Sequence, residues 1–205
     1  MLSAKSDITR KGERTRQRIV ETARVLFHAR GYGNTSMDDI VRRSRVTKGN
    51  LYYYFASKEE LGQAVLELTI AEQFESGAAL EHNGPEEHIA AMFRRAEQAL
   101  SDGRCKGGCL FGNLALEVSD SHDGLRRTLD QAFTAWERRV ADLLAQGVRD
   151  GVFSRELEPR AAARFVVATL EGGILLAKVT REVDALRACA AMVARVLDGF
   201  RETSR

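Results

Sequence analysis

The run Val46-Thr47-Lys48-Gly49-Asn50-Leu51-Tyr52-Tyr53-Tyr54-Phe55 constrains this chain more than any other stretch. Three successive tyrosines make a poor core, because neighbouring helix positions point in different directions and each buried phenol needs a polar partner. They suit a short helix laid against an irregular polar surface. Thr47 can cap that helix, and Leu51 and Phe55, four apart, can bury on one side. Lys48, Asn50, Tyr52 and Tyr53 are then left facing outward. Such a set meets the demands of a DNA major groove: lysine and tyrosine bond phosphates, asparagine reads a base edge, and Gly49 lets the backbone come close.

Composition narrows the field. The 205 residues, 44% of them hydrophobic and 29% charged, suffice for one sizeable core or two small ones in a soluble protein. Only 2 prolines interrupt the chain, which favours long helices over many strands. No apolar run approaches the roughly 20 residues that span a bilayer, and Met1 to Gly12 is polar, so a cytoplasmic protein with no membrane partner is expected. The net charge of +2 conceals an asymmetry: residues 1–60 hold 13 Lys/Arg against 7 Asp/Glu, and the remainder 18 against 22. The basic end is also the tyrosine end, the footprint expected for a polyanion partner.

Helical periodicity runs through Glu13 to Arg30, with Ile19, Ala23, Leu26 and Phe27 on one face, before Gly31 and Gly33 stop it. Asn34-Thr35-Ser36 supplies caps for a second helix with Met37, Ile40 and Val41 inward. Ser36 stands where a helix N-terminus can meet a phosphate. Ser44-Arg45-Val46 is the turn before the tyrosine helix, so the three helices make a helix-turn-helix. Ser57-Lys58-Glu59-Glu60 reads as a capping box opening a fourth helix through Leu61, Val65 and Leu68.

The run from Gly31 to Leu61, with Lys48-Gly49-Asn50-Leu51-Tyr52-Tyr53-Tyr54-Phe55 and Ser57-Lys58-Glu59-Glu60-Leu61, closely resembles the TetR family of bacterial transcriptional repressors. The resemblance implies an all-α homodimer: an N-terminal three-helix head at 1–56 and a larger helical effector-binding and dimerisation domain at 57–205. Such a protein holds double-stranded DNA at a pseudo-palindromic operator and releases it when a small molecule binds. Family roles map Lys48, Gly49, Asn50 and Tyr52 near bases, and Thr47, Tyr52, Tyr53, Tyr54 and Lys58 near phosphates. Asn50 stands where the family more often has threonine, so base preference does not carry over.

In the body, Gly84-Pro85 separates the fourth helix from a fifth carrying Ile89, Met92, Phe93, Ala96 and Leu100. A short segment from Cys109 to Val118 precedes a long helix over His122 to Asp150, striped with Leu125, Leu129, Ala132, Phe133, Trp136, Val140, Leu143 and Leu144. Such a stripe serves a core or, for Phe133 and Trp136, an enclosed effector. Arg160 to Arg181 carries Phe165, Thr169, Gly172, Gly173 and Leu176, and the last helix spaces Leu186, Ala190, Val193, Leu197 and Phe200 by fours and threes, as a seam does. Gly172, Leu176, Leu186, Ala190, Val193 and Leu197 are the expected dimer interface, the paired helices of a four-helix junction in TetR-like proteins; packing inside one subunit is the alternative.

Cys105 and Cys109, four apart, and the scattered His28, His82, His88 and His122 offer no metal-ligand spacing, and no cofactor motif or catalytic constellation is visible, so no enzyme is expected. Cys109, at a helix start beside Lys106, is expected to have a lowered pKa. Gly108-Cys109-Leu110, Leu116-Glu117-Val118 and Ala177-Lys178 resemble the branch of the family that includes the N-ethylmaleimide reductase repressor, which responds to electrophiles. Phe111-Gly112-Asn113-Leu114 is similar to the LmrA/YxaF-like branch, which binds aromatic compounds reversibly. The effector site is thus expected at Cys109, Asn113, Phe133, Trp136, Phe165, Thr169 and Lys178. The expected effector is apolar or electrophilic, with thiol sensing through Cys109 as the alternative, a thiol-dependent enzyme as a further one, and a buried inert cysteine as the plain reading.

Overall fold

The computed structural model describes residues 2–78 and 84–202, which leaves His82 outside. Among them the helices are α1 (Leu2–Arg30), α2 (Met37–Ser44), α3 (Lys48–Tyr54), α4 (Lys58–Ala78), α5 (Pro85–Asp102), α6 (Leu110–Val118), α7 (Asp123–Arg149), α8 (Pro159–Thr180) and α9 (Asp184–Asp198). No strand occurs among the described residues beyond an isolated bridge between Phe153 and Arg201. Among the described residues no helix is long and apolar enough to cross a membrane. The all-α expectation therefore holds, with α1 beginning eleven positions earlier than apolar periodicity indicated.

Contacts divide the chain into two compact units, one of residues up to Ile70 with Asn113–Leu129, the other of Ala71–Gly112 with Asp130 onward. In the first, α1 packs on α2 and α2 on α3. Ile19, Ala23, Leu26 and Phe27 of α1, Ile40 of α2, and Leu51 and Phe55 of the tyrosine stretch are all buried, as their spacing demands. Arg45 ends α2 in the left-handed conformation and so makes the sharp turn into α3 without a glycine.

In the second unit α8 packs on α9, and α5 on both. Ile89, Phe93 and Leu100 of α5, Val140 and Leu144 of α7, and Val166, Val167, Leu170 and Ile174 of α8 share one core with Leu186, Val193 and Leu197 of α9. Those three seam residues are 1%, 1% and 3% exposed, so the seam of α9 closes the subunit's own core. What α8 and α9 leave in solvent is a different set: Phe165, Leu175, Leu176, Val179, Met192 and Val196. Between α5 and α6 a left-handed run, Arg104, Cys105, Gly107 and Gly108, turns the chain so that Cys109 leads into α6.

Candidate nucleic-acid interface and effector site

The outward surface of the first unit is built by two caps. Ser36 Oγ accepts the Asp39 N–H at 3.1 Å while the Asp39 carboxylate accepts the Ser36 N–H at 2.9 Å, a reciprocal box that starts α2. The Ser36 hydroxyl, the Ser36 N–H and Arg42 hold the Asp39 carboxyl down at about 2. Thr47 Oγ1 accepts the Asn50 N–H at 3.2 Å and starts α3. With Leu51 and Phe55 anchored beneath, Thr47, Lys48, Gly49, Asn50, Tyr52 and Tyr53 are exposed together, and Tyr53 is 80% exposed. Space around Gly49 is open, as a closely approaching duplex requires. Tyr54 is half-buried, its ring edge-on to Tyr53 at 5.0 Å.

Two residues on this surface have partners that local sequence did not reveal. Lys48 Nζ lies 3.1 Å from Asp38 Oδ1, tying α3 to α2, and Asp38 raises the lysine's pKa. Lys58 is half-buried with its Nζ 4.1 Å from the centre of the Tyr32 ring, where burial lowers its pKa and the Glu117 carboxylate opposes that. Ser57 Oγ caps the Glu60 N–H at 3.1 Å, but the Glu60 carboxylate returns to the N–H of Ala56 at 2.7 Å, one residue before the position a capping box predicts.

In the second unit Phe133 and Trp136 stack with centroids 6.3 Å apart, and Phe111 meets Phe133 at 6.4 Å. Thr169 and Lys178 are half-buried, Phe165 is exposed on α8, and Asn113 falls in the first unit. Cys109, Phe133 and Trp136 all pack against the core of the second unit.

Cys109 reverses its expectation. The N–H groups of Gly112 and Phe111 at the start of α6 do favour a thiolate, but burial dominates and Glu171 adds to it, so the thiol is pushed well up rather than down. The charged neighbour that acts on Cys109 is thus Glu171. Gly112 lets that carboxylate approach α6 where any Cβ would collide with Oε2. Glu171 Oε1 is buried without a hydrogen-bond partner. Sequence reasoning missed this residue, although it is the one charge between Phe165 and Ala177.

Burial raises the Glu171 pKa, which the Cys109 thiol partly offsets. A carboxyl that binds its proton more tightly folded than unfolded adds stability below the ordinary glutamate value, and loses it as pH rises through the folded one. Relative to Glu171→Gln, the wild type should therefore lose stability as pH rises above the ordinary glutamate value of about 4.3. Urea unfolding at several pH values measures this; a difference that does not change with pH would refute it.

Residues 19–65 match the family described as bacterial regulatory proteins, tetR family, and residues 85–193 match the tetracyclin repressor-like C-terminal domain. The HTH-type transcriptional repressor DhaR of Mycobacterium sp. (strain GP1) is 30% identical over 83% of this chain and 86% of its own length. The HTH-type transcriptional repressor NemR of Escherichia coli (strain K12) is 27% identical over 89% of this chain and 94% of its own. The crystal structure of the regulatory protein TetR from Rhodobacter sphaeroides superposes with a TM-score of 0.81 at 27% identity, covering 87% of this chain and 96% of that one.

Proposed function

The chain belongs to the TetR family of bacterial regulatory proteins, and from that premise we propose a cytoplasmic homodimeric repressor that occupies a pseudo-palindromic operator and leaves it when a small molecule binds. One observation carries the DNA-binding reading. The exposed Lys48-to-Tyr53 surface sits on a helix whose other side is fixed by Leu51 and Phe55, 0% and 1% exposed. A rigid scaffold thereby presents a lysine, an asparagine and two tyrosines at once, within residues 1–60, where the positive charge is in excess. Residues 1–56 serve as the DNA-reading head and 57–205 as the effector and dimerisation body, and no catalysis is assigned.

Two heads are needed because one short helix touches few base pairs, whereas a dimer reads half-sites one or more helical turns apart. The interface proposed is the exposed stripe of Phe165, Leu175, Leu176 and Val179 on α8 with Met192 and Val196 on α9. Gly172 lies among these residues with open space before it.

The effector reading favoured by the residues is reversible binding beside Phe133 and Trp136, since a thiol held protonated is a slow nucleophile. The test is a mobility shift on the DNA directly upstream of the chain's own reading frame, against a scrambled duplex, with and without N-ethylmaleimide. Specific binding is expected, and maleimide should release wild type and Cys109→Ser alike or neither. Equal affinity for both duplexes would remove the operator reading, and release of wild type alone would establish Cys109 as the sensor.

A further inference from the structure

We infer that Glu117, near the end of α6, is a positioning residue for DNA binding: its carboxylate clasps the loop that leads into α2 and holds the start of the helix-turn-helix in the operator-binding arrangement. The inference rests on the DNA-binding reading above. Glu117 Oε2 accepts the Gly33 N–H at 3.0 Å. Gly31, two residues earlier, has a φ of +87°, and a Cβ there would stand 2.6 Å from Glu117 Oε1. Glycine at this place therefore satisfies two demands, the left-handed turn and the approach of a carboxylate.

The placement is not what α6 alone would choose. A carboxylate in the last turn of a helix opposes the helix dipole, so its position has to be stabilised from outside. Two groups do so, the Gly33 N–H and the Lys58 ammonium, which stands over the Tyr32 ring. Tyr32 is in turn fixed between Phe27, at 5.1 Å, and His122, edge-on at 5.2 Å. Tyr32, Lys58, Glu117 and His122 line a cleft of about 570 Å³ with Ser57, Glu59 and Ser121. At its margin Gly124 of α7 lets Glu59 of α4 approach where a side chain would collide.

What the clasp holds is close to the groove-reading surface in the chain. The loop it pins continues through Thr35, fully buried with its hydroxyl on the Gly31 carbonyl at 2.9 Å, into the Ser36 cap of α2. α2 carries Asp38, the partner of Lys48 on α3. A loop released at Gly33 thus loosens the start of α2 and, through it, α3. Lys58 on this account acts on the loop through Tyr32 and Glu117, not on a phosphate.

Two measurements test the inference. Hydrogen exchange without DNA, on wild type, Glu117→Gln and Glu117→Leu, should show faster exchange from Gly33 to Asp39 in Glu117→Leu. Glu117→Gln, which keeps an acceptor oxygen, should retain most of the protection. Unchanged exchange in Glu117→Leu would overturn the clasp. For DNA, the probe is a duplex selected by wild type from a random-sequence library. Glu117→Leu should bind it at least about tenfold more weakly, the effect of losing one charge-assisted hydrogen bond in each subunit. Its salt slope should be unchanged, because no phosphate contact is lost. Lys58→Met should also keep the wild-type slope; a slope lower by about one per subunit would place Lys58 on a phosphate and overturn its part in the clasp. If wild type selects no duplex, the DNA-binding reading fails, while the exchange experiment still decides the clasp.

Discussion

Replacing Lys48 by alanine should weaken operator binding on the order of a hundredfold and flatten its salt dependence by about two in log–log slope. The slope follows from counting. Each phosphate contact contributes about 0.9 to the slope on duplex DNA, and a homodimer loses the contact twice. Lys48 is suited to this because it opens α3, is exposed, and carries an ammonium held 3.1 Å from Asp38. In the free protein that pair orients the side chain, and on operator DNA a phosphate should take the carboxylate's place. Asp38→Asn should therefore tighten binding slightly, most at low salt, by removing a negative charge from the groove-facing surface. Fluorescence anisotropy between 50 and 200 mM KCl reads both variants, on the approximate scale over which phosphate-dominated binding changes most. Wild-type slope and affinity in Lys48→Ala would take this residue out of the interface and shift the contact to Tyr52 and Tyr53.

How much of this was legible in the sequence depends on how far each effect reaches along the chain. The caps by Ser36 and Thr47 and the burial of Leu51 and Phe55 are set by residues three or four positions away, and each was readable before the structure. Gly84 and Pro85 likewise mark the start of α5, with glycine at φ +81° and proline in the first turn. Cys109 was misread because its immediate neighbours argue for a thiolate, whereas desolvation and Glu171, which lies far along the chain, set the balance. Lys58 likewise has neighbours that local sequence does not reveal, Tyr32 under its ammonium and Glu117 far along the chain. Early α1 carries no apolar stripe, so nothing in its pattern marked the helix start at Leu2. In α9, periodicity said correctly that Leu186, Val193 and Leu197 bury together, but period does not name the partner surface.

That ambiguity makes the dimer the sharpest remaining experiment. Leu176→Glu with Val179→Glu should convert the protein to a 22.7 kDa monomer in light scattering at micromolar concentration. The two side chains stand three apart on one face of α8, 52% and 72% exposed, so charge there costs the isolated subunit little. Against a symmetric copy each glutamate meets an apolar surface and its own counterpart, and burying an unpaired charge is far more costly than any contact it replaces. The loss passes directly to DNA. A dimer places its second head at an effective concentration in the millimolar range, so the monomer should bind a full operator about 10²–10⁴ times more weakly, while its head keeps its fold. Leu186→Ala is the opposite control: a residue 1% exposed within the subunit should cost about 2–5 kcal/mol of unfolding free energy, with dimers persisting in whatever fraction stays folded. The two variants thus separate the surface that joins subunits from the seam that closes one. If the charged variant stays dimeric and Leu186→Ala alone dissociates a still folded protein, α9 opens in solution to pair across subunits, and the exposed stripe of α8 must face something else.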